Sequence, residues 1–306
     1  MPRIVLNPRL ENHVKLVDYK EYFDAPAAKQ DELMDWYEHG YMLVLTNYRF
    51  QAGREHLSTI LFPNEKRAKK IALATPDNPH DDGTREREWT YVEQELLAAD
   101  PARMAAFRSA VVAANTELFR LVDGLFPRYR YTRRMCIYNL SEMFSHNLHF
   151  DSPQHAGEVT QVRAFVNLDD YPRIWHLAGR LEEYAKHFYG EGRLERTIGA
   201  HPREFTRQLT RTAFGDRYES GSRDHPQHNL AFQPGEVWFL NPNMTAHEVV
   251  YGRRLLDGVF MFDAGDLRHP GRFFPEIVRD IHRQEIGPAR HWARATLARW
   301  LRRGTA

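Results

Sequence analysis

The residues best suited to chemistry lie in the phrase His146-Asn-Leu-His149-Phe-Asp151-Ser-Pro. In a strand, residues two apart share a face. His149 and Asp151 therefore point into one space, and Phe150 points away. An imidazole and a carboxylate side by side, joined by a second histidine from elsewhere, make the facial triad of mononuclear non-haem Fe(II) sites. Such a triad covers one face of an octahedral ion and leaves three positions open, which a co-substrate and O2 need side by side. His247 supplies the second histidine, in Asn241-Pro-Asn-Met-Thr-Ala-His247-Glu-Val-Val: a turn, the histidine, then a β-branched run. The 95 residues between Asp151 and His247 (152–246) leave room for several strands and helices. His146 is a rival ligand, but three residues before His149 it falls on the opposite strand face. A His-x-Asp pair also arises by chance as surface or core decoration; the strand context and the later histidine raise it above that.

A metal of this kind takes 2-oxoglutarate through its keto-acid end, and the far carboxylate then needs a cation. Arginine suits that task because its fork meets a carboxylate with two bonds. Arg254 heads an apolar run in Gly252-Arg-Arg-Leu-Leu-Asp-Gly-Val-Phe-Met-Phe, while Arg253 is expected to face solvent in a turn. Arg163 lies within Gln161-Val-Arg-Ala-Phe-Val-Asn, where Arg163, Phe165 and Asn167 share a face. A charge inside such a strand is costly without a partner. Arg163 is therefore a candidate anchor with Asn167 as a polar helper, the alternative for each arginine being a protein carboxylate.

The elements that must position these groups change character along the chain. Ala27–His39 carries Leu33, Trp36 and Tyr37 at helical spacing and stops at Gly40. Tyr41–Leu45 reads as a strand, residues 76–88 as a polar loop, and Pro101–Leu125 as a helix with proline in its first turn. From about residue 131 short β-type runs follow: Tyr131–Asn139, His146–Phe150, Gln161–Leu168, Asn229–Phe232, Glu236–Leu240, His247–Tyr251 and Leu255–Phe262. A tight turn is expected at Gln233-Pro-Gly235, and Gly252 is expected to turn the last pair back on itself. A helical insert (Gly179–Phe214) interrupts the strands, and Phe273–Arg303 is helical. The pattern predicts an α+β protein: a double-stranded β-helix, or jelly roll, with flanking helices. One oxygenase domain is expected over 1–306. Within it, residues 1–130 are rich in helix, 131–263 form the core with an insert at 179–228, and 264–306 are C-terminal helices.

Composition narrows the function classes. Lys plus Arg (42) balances Asp plus Glu (41), so no basic field calls for nucleic acid. A mean hydropathy of -0.63 argues against a membrane span. The start, MPRIVLNPRLENHVK, lacks the apolar core of a signal peptide, so a cytoplasmic location is expected. Cys136 alone can form neither an intrachain disulfide nor a thiolate zinc site, and its strand context reads as a buried thiol. Sixteen histidines make a metal worth seeking.

Across residues 135–262 the chain resembles the Fe(II)/2-oxoglutarate-dependent dioxygenase superfamily, through His149, Asp151 and His247, then Arg254 and an apolar strand. More narrowly it is similar to bacterial Kdo 3-hydroxylases, in Val162-Arg-Ala-Phe-Val-Asn-Leu168, in Pro172-Arg-Ile-Trp-His176 leading into a helix, and in Val237-Trp-Phe239. That resemblance implies an enzyme: a hydroxylase using Fe(II), 2-oxoglutarate and O2 on the octulosonic acid of lipopolysaccharide. Trp175, His176 and Arg173 then become candidate substrate contacts, against the alternative of an aromatic buttress under the insert. Residues 76–88 and 179–228 are candidate lids. The segment Pro288–Arg303 carries five arginines and no acid, with Ala293, Leu297, Trp300 and Leu301 in an apolar stripe. It could lie on the inner membrane face near a lipid-linked sugar, or dock on the barrel or a second subunit. The rival readings are a hydroxylase of the same superfamily tailoring a soluble metabolite or natural product, a protein hydroxylase, and a jelly-roll protein that binds metal or sugar without oxygen chemistry.

Overall fold

The computed structural model of the chain describes residues 2–64, 70–75, 85–144, 147–153, 160–215 and 225–303. Its strands are β1 (Arg3–Val5), β2 (Val14–Asp18), β3 (Met42–Thr46), β4 (Ile71–Ala72), β5 (Tyr131–Phe144), β6 (Gln161–Asn167), β7 (Arg173–Arg180), β8 (His228–Phe232), β9 (Val237–Phe239) and β10 (Thr245–Phe262).

β10 organises them. Along one edge it is followed by β5 from Tyr251 to Phe262, and further back by His149, which bridges to His247. Along the other edge its first half pairs with β7 and its second half with β6. Two layers result. In one, β6 continues to β9, β3 and, in parallel, β2; in the other, β7 continues to β8 and β1. Strands that leave one layer and enter the other are what close a double-stranded β-helix.

Side-chain alternation then sorts three cores. Between the layers, Phe165, Trp238 and Leu255 meet Trp175, Leu177, Phe232 and Val249. On the outer face of the β5/β10/β6 layer, Tyr138, Val162, Ala164, Val166, Leu256 and Phe260 pack on the helix Pro101–Leu125 through Phe107, Val111 and Leu118. The Asp100 carboxylate caps that helix by accepting from the N–H groups of Ala102 and Arg103. Beyond the His149 end, the helices Leu181–Phe188, Pro202–Phe214 and Phe274–Ile286 form a third core that takes in Phe150. Phe150 thus packs into this core, while it also borders the cavity lined by its two neighbours.

Several expectations need correction. Gly252 does not make a hairpin: β10 runs unbroken for 18 residues, with a register shift between Gly252 and Arg254. Added bulk has no room there, since a Cβ on Gly252 would lie 2.3 Å from Arg173 Nη1. The phrase Pro172–His176 leads first into a strand, β7, and only then into a helix. The expected strand His146–Phe150 reduces to the single bridge at His149, and His146 lies outside the described residues. Within 76–88, residues 76–84 also lie outside them, while Arg85–Tyr91 is helical rather than loop. The first third of the chain, read as helical with a single strand, contributes β1, β2 and β4 as well as β3. The helices Ala27–Glu38 and Pro101–Leu125 and the buried Cys136 are as expected. No helix among the described residues is long and apolar enough to cross a membrane.

Candidate metal centre and active-site cavity

His149 and His247 are held by backbone pairing. Each donates its N–H to the other's carbonyl at 3.1 Å, and the rings lie 4.5 Å apart. Two residues on, the Asp151 N–H donates to the Pro242 carbonyl at 2.8 Å, which ties the carboxylate to the turn before β10. The possible ligand atoms of His149, Asp151 and His247 all lie within 4.8 Å of one another.

The tautomers follow from the partners. His149 Nδ1 lies 2.7 Å from the Asn147 carbonyl, and His247 Nδ1 lies 3.1 Å from the Thr245 carbonyl. A carbonyl only accepts, so each Nδ1 carries its proton and donates. Nε2 is then the ring nitrogen left for a metal, and His149 Nε2 stands 3.6 Å from Asp151 Oδ1. Imidazoles oriented by an Nδ1–H bond to a carbonyl are the usual presentation of metal-binding histidine. Burial works against the charge on Asp151. The His149 imidazole and the charges of His247 and Arg163 outweigh it and hold the carboxyl well below its ordinary range. Two imidazole nitrogens and one carboxylate fit a divalent first-row metal such as Fe(II). A second grouping, Glu11, His13 and Glu183, already has a cation: Arg180 reaches Glu11 at 3.2 Å and Glu183 at 3.1 Å.

His149 and Asp151 line a cavity of about 550 Å³ over the β5, β6 and β10 strands, and His247 is not among its lining residues. Met135, Ile137, Val259 and Met261 supply apolar wall, and Lys70, Arg163, Arg207 and Arg211 supply cations. Arg207 and Arg211 come from the helix Pro202–Phe214, so the described part of the expected insert contributes to the cavity lining.

Of the sequence candidates, Arg163 reaches this cavity. Its Nε donates to Asp257 Oδ1 at 2.9 Å, its Nη2 donates to Asp257 Oδ2, and its Nη1 lies 3.7 Å from Asp151 Oδ2. Arg254 does not reach it. Its guanidinium is buried on Asp169 at 2.7 Å and on the Ile60 carbonyl at 2.6 Å. Arg253, expected in solvent, grips the same Asp169 through two bonds. The Asn167 amide donates to the carbonyls of Tyr171 and Phe232, a structural use. Trp175 is a buttress, its ring 5.5 Å from that of His247 and nearly parallel to it. His176 pairs with Glu248 at 3.0 Å, and Arg173 is buried against Met143 and Gly252. None of Arg173, Trp175 and His176 lines the cavity.

Asp257, Lys70, Arg207 and Arg211 were not singled out from sequence. Asp257 carried a signal: an acid within Leu-Leu-Asp-Gly-Val-Phe is as costly unpaired as Arg163.

No protein-family model matches the sequence, and no curated protein matches it. Solved structures do. The fold is that of the Kdo hydroxylase KdoO. Its structure with α-ketoglutarate and Fe(III), described as a non-heme Fe(II) α-ketoglutarate-dependent dioxygenase, superposes with a TM-score of 0.61 at 16% identity. The match covers 87% of this chain and 95% of that one. The cobalt(II) complex of KdoO gives 0.59 at 17% identity over the same shares. At this identity the likeness establishes the architecture: an α+β chain built on a jelly-roll core with flanking helices.

Proposed function

We propose that this protein is an Fe(II)/2-oxoglutarate-dependent hydroxylase. The observation that carries the reading is the pair of histidines whose Nδ1–H groups are spent on carbonyls, their ligand atoms within 4.8 Å of those of Asp151, with His149 and Asp151 on the wall of a cavity. The likeness to KdoO supports it. His149, Asp151 and His247 would hold Fe(II). Bound there with 2-oxoglutarate and O2, iron supplies the oxidative chemistry that replaces C–H by C–OH as the 2-oxo acid is decarboxylated to succinate. Of the two arginines expected at the 2-oxoglutarate carboxylate, Arg163 is the one on the cavity, but its fork is spent on Asp257 and its Nη1 faces Asp151, so the carboxylate falls to the other cations there, Lys70, Arg207 and Arg211. Met135, Ile137, Val259 and Met261 give the cavity its apolar wall.

The cations at the mouth fit an acidic substrate. Arg207 and Arg211 stand one turn apart on one helix face, both exposed, with Lys70 on the same cavity. An octulosonic acid such as the Kdo of lipid A has the matching charge; an acidic soluble metabolite is the second reading. Incubation with iron, 2-oxoglutarate and either Kdo-lipid A or a metabolite extract chooses between them. Succinate forming with Kdo-lipid A supports the first; succinate forming only with the extract supports the second. A lipid-linked substrate would place the protein at the cytoplasmic face of a membrane. The helix Pro288–Arg303, with five arginines, no acid and an exposed Trp292, suits an anionic surface. Co-sedimentation with anionic but not neutral vesicles is the expected result, and equal behaviour with both rejects that contact.

A further inference from the structure

Arg163 and Asp257 are diagonal neighbours on paired strands: Arg163 stands opposite Val259, and Asp257 opposite Phe165. The β6 backbone at this point is pinned from outside the barrel. Tyr37, on the helix Ala27–Glu38, accepts from the Arg163 N–H and donates to the Gln161 carbonyl, both at 2.9 Å. Two parallel hydrogen bonds from Nε and Nη2 to the two oxygens of Asp257 then fix the plane of the guanidinium. What remains free in that plane is Nη1, and it faces Asp151 Oδ2 at 3.7 Å. The other oxygen of the same carboxylate, Oδ1, faces His149 Nε2 at 3.6 Å. The two oxygens of Asp151 are thus given different partners by groups that cannot exchange places.

We infer that Asp257 is a positioning residue which, through the Arg163 fork, reserves Asp151 Oδ2 for the guanidinium and leaves Oδ1 to the metal. This rests on the metal reading above and extends it. A carboxylate free to swing brings both oxygens to an ion, and a second oxygen would take one of the positions a chelating co-substrate and O2 require. Held by Arg163, Asp151 offers one. The device needs both the charge and the flat fork: an ammonium carries its three donors on one rotatable nitrogen and does not hold Asp257 and Asp151 in a fixed plane.

Co(II) titration followed by calorimetry and by visible absorption tests this without turnover. Asp257→Asn weakens Co(II) binding about 10- to 100-fold, the range typical of groups that orient metal ligands, and alters the Co(II) absorption spectrum. Arg163→Lys preserves the charge but not the fork and gives the same two changes, which separates positioning from net charge and covers the case in which Asp257→Asn does not fold. Circular dichroism and thermal melting establish which variants are folded. Folded variants that bind Co(II) with wild-type affinity and spectrum overturn the inference, and so does a loss of thermal stability with both readouts unmoved. Wild-type protein that takes up no Co(II) overturns the metal reading itself, an outcome distinct from the first.

Discussion

His149 and His247 are cross-strand partners, each donating its backbone N–H to the other's carbonyl at 3.1 Å. Two histidines 98 positions apart (247 minus 149) are therefore set by one β-bridge rather than by loops. Their separation belongs to the barrel, and the site is as rigid as the pairing of β10. Side chains that pack on this bridge govern the site; those that only complete the corners of the barrel govern stability.

Trp175 belongs to the first group. It is 1% exposed, and its ring lies 5.1 Å from Phe165, 5.3 Å from Trp238 and 5.5 Å from His247. Trp175→Ala is expected to cost about 3–5 kcal/mol in urea unfolding. In Trp175→Phe, Co(II) should quench less of the intrinsic fluorescence than in wild type, because the indole nearest the metal is gone. Equal quenching would place the ion elsewhere.

Asp169 belongs to the second. Burial disfavours its charge, but Arg253 and Arg254 overcome this and lower its carboxyl below the ordinary value. Asp169→Asn leaves two guanidinium groups without their counter-ion and should cost about 3–5 kcal/mol. Co(II) and 2-oxoglutarate affinities should stay as in wild type. A selective loss of 2-oxoglutarate binding would restore Arg254 as its anchor.

Gly252 marks the corner where β10 passes between layers. A methyl there meets Arg173 Nη1 at 2.3 Å and its Cγ and Cζ at 2.8 Å, and Arg173 is fully buried. Gly252→Ala should destabilise by about 1–3 kcal/mol, as overpacking does. A melting temperature equal to wild type would show that the guanidinium has room to move.

Acid sensitivity is expected from His282, in the helical core beyond the His149 end of the barrel. Burial, with the charge of His291 beside it, lowers its pKa from 6.5 to about 4. The unfolded chain therefore takes up this proton first as pH falls. The stabilising contribution is complete above about pH 6.5 and is lost toward pH 4, amounting to about 2 kcal/mol by pH 5. Urea unfolding of wild type and His282→Gln at pH 7.5 and 5 checks it: the variant should lose less stability between the two. Parallel losses would contradict the assignment.

The convergence of His149, Asp151 and His247 was legible in the sequence because the two-residue spacing of His149 and Asp151 keeps them on one side even where the strand shrinks to a bridge. Arg163 was legible because a charge in an apolar strand needs a partner, and Asp257 went unnoticed although the same reasoning applied to it. β7 was hidden by its own composition: its buried positions include Arg173, and half-buried Ile174 and His176 alternate with them, so no clean apolar alternation shows. Gly-Arg-Arg at 252–254 looks like a turn, but what happens there is a change of partner from β7 to β6. Local residues cannot encode that choice, nor the pairing of β1 with β8 more than 200 positions away. Arg254 was misplaced for the same reason, since its partner Asp169 comes from the loop after β6.

Anaerobic titration with Fe(II) and then 2-oxoglutarate tests the central claim most directly. Wild-type protein should bind one Fe(II) and, on addition of 2-oxoglutarate, develop the visible charge-transfer absorption of a chelated 2-oxo acid. His247→Ala, which keeps the backbone bridge, should remain folded and show neither. Wild-type protein without that absorption, or a His247→Ala variant that binds Fe(II) as tightly, would contradict the account.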